Sequence, residues 1–225
     1  MQKIKHFSYS AMQAGLLCAI AFVAIAPETI QQWVQNPSSV FNVFSATDTD
    51  NTNDKNKIPA SGLALENQPP EIKAFLDTIA IAEVGTVGKE GYSTIVFRGT
   101  FDPAKGHPFF EGGRSPSSNC APINGKRVCS SASGRYQFLD ARYRELRQDG
   151  IISNFSPRSQ DVAAIYYLRK FGAYALIVQG KIDEAFCKVG HFWASLFCND
   201  YNQNPKSARQ LRQIYNERLQ YWRSQ

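Results

Sequence analysis

Residues 70–86 read PEIKAFLDTIAIAEVGT, and this stretch carries the clearest structural pattern in the 225-residue chain. Its apolar residues recur at steps of three and four, which predicts the buried face of an α-helix. They are Ile72, Phe75, Leu76, Ile79 and Ala80. Pro69-Pro70-Glu71 is typical of a helix start, and Gly85 is typical of a helix end. Glu83 lies four residues after Ile79, so it continues the buried face in the last turn.

Glu83 is a carboxylate at a position where a helix normally buries an apolar side chain. Partial burial and the negative end of the helix dipole both disfavour the ionised form, so we expect the pKa of Glu83 to be raised. A carboxylic acid that stays protonated near neutral pH can donate a proton to a leaving oxygen. The spacing alone also fits a glutamate that reaches water from the edge of the apolar face.

The pattern downstream predicts an α+β domain over residues 71–225, mostly helical, with a small β-sheet beside the first helix. β-Branched and aromatic residues between 93 and 101 predict the sheet, and residues 102–134 predict a long ordered loop over it. Helices are predicted over 138–148, 156–171, 173–179 and 182–195, with a last helix marked by Leu211 to Trp222. We expect a cleft where the helices meet the sheet.

The amino terminus predicts a membrane segment. Lys3, Lys5 and His6 precede residues 11–26, which contain no charge, so residues 1–33 form either a signal anchor or a signal peptide. Ala24-Ile25-Ala26 has the form of a cleavage site, but Pro27 directly after it disfavours processing, and we therefore expect an uncleaved anchor. Polar residues dominate 34–70, which predicts a disordered linker.

Charge and cysteine usage restrict the partners. The net charge of +6 and the pI of about 9.1 favour an anionic partner. The sequence contains no basic run interleaved with aromatic residues, so it does not predict nucleic-acid binding. Local pairing of the five cysteines predicts two disulfides in an oxidising compartment, Cys120–Cys129 and Cys187–Cys198, with Cys18 left over. The chain has no C-x-x-C pair and only three histidines, so the sequence predicts no metal site.

Residues 131–138, SASGRYQF, contain a second candidate site. Gly134 permits close approach of the backbone, and Arg135, Tyr136 and Gln137 then supply a charge, an aromatic face and an amide. These groups suit a carbohydrate, whose rings have apolar faces and hydroxyl edges. The same pattern also fits a helix start with its aromatic ring in the core.

Collinear motifs in residues 74–201 resemble the lambda-type phage endolysins, family 104 of the glycoside hydrolases. The motifs are Ala74–Glu83 with Gly85-Thr86, Gly91-Tyr92, Ile95-Val96, His107-Pro108, Ser133–Gln137, Phe155–Asp161, Trp193–Leu196 and Tyr201. The resemblance implies a lysozyme-like fold and a muramidase that cleaves the β-1,4 bond between N-acetylmuramic acid and N-acetylglucosamine in peptidoglycan.

The resemblance also implies roles for individual residues. Glu83 matches the catalytic glutamate, and Tyr136, Gln137 and Tyr201 match positions that line the sugar cleft. Together with Arg135 and Tyr92 they are the candidate substrate-binding residues. Where the family's pattern has a histidine before Gly-Tyr and an aspartate after it, this chain has Glu90 and Ser93, so contacts beside the acid are expected to differ.

Members of this type act as lytic transglycosylases, which implies one catalytic acid, a 1,6-anhydro product and no cofactor. Hydrolysis would need a second carboxylate, for which Asp102 is the first candidate and Glu90 the next. A peptidoglycan-binding module without activity is a further alternative. We expect a monomer that acts on glycan strands in the periplasm, tethered to the inner membrane or released if the N-terminal segment is cleaved.

Overall fold

The structure is a computed structural model that describes residues 60–97, 99–123, 125–199 and 205–225, all within one compact unit, Lys57–Gln225. In this part of the chain the α-helices are α1 (Pro70–Val84), α2 (Asp140–Gln148), α3 (Pro157–Lys170), α4 (Ala173–Val178), α5 (Ile182–Val189) and α6 (Ala208–Arg223). The strands are β1 (Thr94–Ile95), β2 (Gly99–Thr100), β3 (Cys120–Ile123) and β4 (Lys126–Cys129). The predicted α+β class, mostly helical, is therefore confirmed.

Helix α1 is central to the core, as its apolar spacing predicts. Ile72, Phe75, Leu76, Ile79 and Ala80 are all buried, which removes the whole apolar face from water and makes this helix a main source of hydrophobic stabilisation. The ring of Phe75 stacks on Phe186 of α5 and meets Tyr215 of α6 edge-on. Helix α1 is thus fixed by helices from the far end of the chain.

Capping chemistry fixes three helix ends, among them the predicted end of α1 at Gly85. Gly85 closes α1 in the left-handed conformation, with φ 79°, which only glycine adopts without strain. Ser156 caps α3 by accepting from the Ser159 amide, and Pro157 occupies the first turn. Ser207 and Gln210 form a capping box at the start of α6. These caps fix where the connecting loops begin.

Two small antiparallel sheets replace the single predicted sheet. Strands β1 and β2 form one pair, whereas β3 and β4 form a second hairpin inside the segment 102–134 that the sequence assigns to a loop. The hairpin is short, and its residues include Cys120 and Pro122, so its strand pattern is weak. Ile95 of β1 also bridges to Ser133, which brings the segment 131–138 against the first sheet.

The boundaries of two other predicted segments also change. Residues 60–69, assigned to the linker, form 3₁₀ turns, and Leu63 packs into the core, so the domain begins before residue 71. Helix α5 stops at Val189 rather than at Ser195. Gly190 then lies so close to the carbonyl of Phe197 that a Cβ would be 2.3 Å from its oxygen.

Both predicted disulfides are present, Cys120–Cys129 across β3 and β4 and Cys187–Cys198 after α5. Within the described residues, no helix combines the length and apolar character that a membrane crossing requires. The predicted membrane segment 11–26, Cys18 and the greater part of the linker lie outside the part of the chain that the structure describes.

Candidate active site

Glu83 lies in the last turn of α1, where the helix leaves the core. The residue is partly exposed, yet the protein around its carboxyl displaces enough water to raise the pKa of Glu83 to about 7. The hydroxyl of Ser195 donates to Glu83 Oε1 at 2.5 Å, which favours the carboxylate and opposes part of that rise. The predicted rise in pKa is confirmed, and burial is its largest cause. This carboxyl can both donate and accept a proton near neutral pH.

Ser195 reaches Glu83 because the segment after α5 is folded back on the core. Trp193 is buried and its indole donates to the carbonyl of Tyr136 at 3.0 Å. The bridge Cys187–Cys198 closes the same segment. Ser195 is thus held between a buried indole and a disulfide, and its hydroxyl has a fixed direction toward the acid.

The loop after Glu83 is tied to itself by Thr86 and Glu90. The Thr86 hydroxyl contacts the Glu90 carboxylate and accepts from the amide of Gly88 at 3.0 Å. The hydrogen bond from Thr86 is the largest cause that lowers the pKa of the exposed Glu90 carboxyl. Gly91 then packs against Val84 and Thr86, where a Cβ would be 3.4 Å from Val84. Glu90 therefore stabilises the loop that follows Glu83.

Behind this loop lies a buried carboxyl that receives two tyrosine hydroxyls. Asp161 of α3 is buried and accepts from Tyr92 at 2.9 Å and from Tyr136 at 2.6 Å. Burial raises its pKa to about 6, while the two hydroxyl donors act in the opposite direction. Tyr92 is partly exposed, and its hydroxyl is directed inward to Asp161. The guanidinium of Arg135 lies over its ring, 5.0 Å from the ring centre, and a role for Tyr92 in sugar binding stays a prediction.

Arg135 and Tyr136 do not present the surface that the sequence predicts for them. Tyr136 is fully buried and Arg135 is 4% exposed, so neither side chain offers a face to a sugar ring. The guanidinium of Arg135 instead donates to Asp77 at 2.5 Å and to the carbonyl of Val87 at 2.6 Å. The charge of a buried arginine requires such partners, which explains why this residue faces inward.

Gln137 keeps a place that suits ligand binding. It is partly exposed and has a positive φ of 49°. Its amide nitrogen donates to the carbonyl of Gly134 at 2.8 Å, which orients the side chain. Tyr201, the last predicted cleft residue, lies outside the described residues.

Asp102, the first candidate for a second carboxylate, already has a structural role. It is exposed, and its Oδ1 accepts from the amide of Ala104 at 3.0 Å, which caps a 3₁₀ turn, Pro103–Lys105. A carboxylate that caps a turn is engaged by the backbone.

Sequence reasoning did not find Ser195, Asp77 or Asp161 as site residues. Ser195 and Glu83 are 112 positions apart, and the pair Arg135 and Asp77 is separated by 58. The motifs WASL and SPRSQD contain Ser195 and Asp161, but no local periodicity indicates what these side chains contact. Such pairings depend on tertiary packing.

Within the described residues, no three His, Cys, Asp or Glu side chains lie close enough to share a metal ion. A concavity of about 350 Å³ lies between Gly180 and Arg212, and another of about 490 Å³ lies along the β3–β4 hairpin near Arg127. Glu83 lines neither of them, so the site is identified by its acid chemistry rather than by volume.

Comparison with known proteins identifies clear relatives. The family model described as Endolysin matches residues 73–220. The endolysin of Escherichia phage P2 is 34% identical over 155 residues, covering 64% of this chain and 90% of the relative. The endolysin of Escherichia phage lambda is 31% identical over 144 residues, covering 62% of this chain and 85% of the relative. The solved structure of lambda lysozyme complexed with a chitohexasaccharide superposes with a TM-score of 0.58 at 29% identity, covering 67% of this chain and 95% of the other.

Proposed function

Because the chain belongs to the endolysin family, whose members degrade peptidoglycan, we propose that this glycosidase-type muramidase acts as a lytic transglycosylase with Glu83 as its one acid and base. The bond cleaved is the β-1,4 link between N-acetylmuramic acid and N-acetylglucosamine. The observation that carries the proposal is the Glu83 carboxyl at the end of α1, which accepts a hydrogen bond from Ser195 and has a pKa raised to about 7 by burial. A group with this pKa is protonated in a large fraction of molecules at neutral pH.

In the first step the protonated Glu83 donates its proton to the glycosidic oxygen, and the bond from that oxygen to the anomeric carbon breaks. The Glu83 carboxylate formed in this step is stabilised by the Ser195 hydroxyl. In the second step the carboxylate accepts the proton of the muramoyl 6-hydroxyl while the oxygen of that hydroxyl bonds to the anomeric carbon. The proton returns to Glu83, the sugar ends as a 1,6-anhydro ring, and no water is consumed.

The hydrogen-bond partners of the other candidate acids support a mechanism with one catalytic acid. A hydrolase of the usual kind needs a second carboxylate to activate water or to form a covalent intermediate. Asp102 caps a turn and Glu90 is bound to Thr86, so each has a structural partner. Asp161 is buried beneath two tyrosine hydroxyls. An intramolecular 6-hydroxyl removes the need for any of them.

Glycan strands are the proposed partner. Gln137 is a partly exposed amide and Tyr92 a partly exposed aromatic residue, and such groups suit the hydroxyl edges and apolar ring faces of a sugar. The related lambda lysozyme has been solved in complex with a chitohexasaccharide, which supports a glycan as the ligand of this fold. We further propose that the enzyme acts as a monomer in the periplasm, held at the inner membrane by residues 11–26.

The proposal is tested with Glu83→Gln, Asp102→Asn and Glu90→Gln in assays of peptidoglycan clearance. Glutamine keeps the shape of Glu83 but cannot give up a proton, so we expect a loss of about a hundredfold or more. Asp102→Asn and Glu90→Gln remove the other two candidate carboxylates but keep a side-chain oxygen that can accept from the Ala104 amide and the Thr86 hydroxyl, so we expect each to keep activity within a few-fold of the parent. An active Glu83→Gln would overturn the proposal, and loss of activity in Asp102→Asn with an intact fold would favour the hydrolase.

A further inference from the structure

Arg135 connects the two chain segments on either side of Glu83. Asp77 precedes Glu83 on α1 and Val87 follows it in the next loop. One nitrogen of the Arg135 guanidinium donates to Asp77 Oδ1 at 2.5 Å and the other terminal nitrogen donates to the Val87 carbonyl at 2.6 Å. A single planar group therefore fixes the distance between the helix that carries the acid and the loop that leaves it.

The guanidinium itself is held in one position. Its carbon lies 5.0 Å from the ring centre of Tyr92 and 5.8 Å from that of Tyr136, and both tyrosines are anchored through their hydroxyls to Asp161. These contacts are favourable for a cation over an aromatic face. The plane of the group is thus set by rings that cannot rotate freely.

The backbone of Arg135 is fixed by Gln160 of α3. The Arg135 amide donates to Gln160 Oε1 at 2.8 Å, and the Gln160 amide nitrogen donates to the carbonyl of Tyr92 at 3.1 Å. Gly134 allows this approach, because a Cβ there would lie 2.2 Å from Gln160 Oε1. Main chain and side chain of Arg135 are therefore both tied to buried groups.

The second oxygen of Asp77 is held from the opposite side. Asp77 Oδ2 accepts from Arg218 at 2.8 Å and from the indole of Trp222 at 2.8 Å, both on α6. Asp77 is 3% exposed, so these hydrogen bonds are shielded from bulk water. Hydrogen bonds are electrostatically stronger in the protein interior than in water, so they hold the Asp77 carboxylate in place. The segment that carries Glu83 is thus positioned by groups that do not touch a substrate.

We propose that Arg135 is a positioning residue for Glu83: by joining Asp77 to Val87 it sets the depth and direction of the Glu83 carboxyl. The inference rests on the proposed function, because it assumes that Glu83 is the acid. Misplacement of a reacting group by about 1 Å is enough to lower a rate by about a hundredfold. The buried guanidinium therefore acts on turnover without any contact to sugar.

Arg135→Lys tests the inference, because lysine keeps the charge but is a point donor that cannot span both acceptors. We expect kcat on soluble peptidoglycan fragments to fall about tenfold or more while KM stays within about twofold. We also expect the alkaline limb of the kcat profile to move to lower pH, because a looser segment admits water to Glu83. Arg144→Lys, which alters a half-exposed ion pair 3.5 Å long with Asp140, is the control and should match the parent.

Asp77→Asn is a second variant, for which we also expect a lower kcat and a nearly unchanged KM. Asparagine has the same shape as aspartate, so the space between Arg135 and Arg218 stays filled. Since both variants break one contact, the double variant should lose less kcat than the product of the two single losses. Folding is checked by near-UV circular dichroism at the assay temperature. A raised KM with unchanged kcat, or folded variants with parental kcat and pH profile, would overturn the inference. If such a result is found while Glu83→Gln is inactive in the same assays, only the role assigned to Arg135 fails. If Glu83→Gln is active, the proposed function itself fails.

Discussion

The carboxyl of Glu83 is subject to two opposing influences. Burial disfavours its charge and raises its pKa to about 7, while the hydroxyl and backbone of Ser195 favour the charge. An acid that must first donate and then accept a proton works best when neither form is strongly preferred. The balance between the two influences, rather than burial alone, suits Glu83 to both steps.

Ser195→Ala should move that balance in a predictable direction. The Ser195 hydroxyl stabilises the carboxylate, so its loss raises the pKa of Glu83 above 7, by about one unit for a hydrogen bond to a charged group. Activity requires the protonated acid at the start, so the alkaline limb of the profile of kcat against pH should shift to higher pH by the same amount. We also expect a severalfold lower kcat near the middle of that profile, because the carboxyl loses its directing partner.

The measurement is the pH dependence of kcat for parent and Ser195→Ala under identical salt. Ser118→Ala is the matched control, because the exposed Ser118 hydroxyl bonds only the carbonyl of Ser115 among the contacts that the structure shows for it. An alkaline limb in Ser195→Ala that stays in place or moves to lower pH contradicts the role assigned to Ser195.

At the scale of elements, the two disulfides stabilise segments with different relations to the site. The bridge Cys187–Cys198 closes the segment that carries Trp193 and Ser195, whereas Cys120–Cys129 joins the strands of the β3–β4 hairpin. The closed loops have similar lengths, with sequence separations of 11 and 9, so loop-closure entropy gives both similar stabilisation, about 3 kcal/mol.

Pairwise replacement by alanine should therefore separate stability from activity. We expect Cys187→Ala/Cys198→Ala and Cys120→Ala/Cys129→Ala to lose comparable free energy of unfolding in urea, about 2–4 kcal/mol each. Only the first pair should also lose kcat, severalfold at a temperature where both variants are folded, because it frees Ser195. Equal activities in the two folded variants would contradict the link between this bridge and the acid.

The elements that sequence reasoning located are those with local chemistry. The apolar period of α1, the glycine at position 85 and the cap at Ser156 each act within a few residues, so their placement follows from the chain itself. The β3–β4 hairpin was missed because short strands with a proline carry little period. Helix α5 is shorter than predicted, and the close approach of Gly190 to Phe197 after its end is a tertiary contact that the local pattern does not indicate.

In the candidate site, too, local features are predictable from the sequence and tertiary contacts are not. Glu83 and its raised pKa were predicted from position on one helix, and Gln137 retains a partly exposed place. Arg135 and Tyr136 were assigned to the sugar although they face inward, since a sequence motif does not state which side of a turn is buried. Their partners, Asp77 and Asp161, come from other helices.

At the scale of the whole molecule, residues 11–26 are proposed to hold the chain at the inner membrane. After expression of the full chain in bacteria, we expect the full-length protein in the membrane pellet, because Pro27 disfavours cleavage and the uncharged residues 11–26 then stay attached as an anchor. The control chain that lacks residues 1–33 should appear in the soluble fraction. A shortened protein in the periplasmic fraction would show that the segment is a cleaved signal peptide.

The chemistry at Glu83 is tested most directly by mass spectrometry of the products from purified peptidoglycan, digested by the parent and by Glu83→Gln. The parent is predicted to leave muramoyl ends that are lighter than reducing ends by one water, because the 6-hydroxyl replaces water as the nucleophile, and Glu83→Gln is predicted to leave none. Reducing muramic acid ends from the parent would contradict the transglycosylase mechanism.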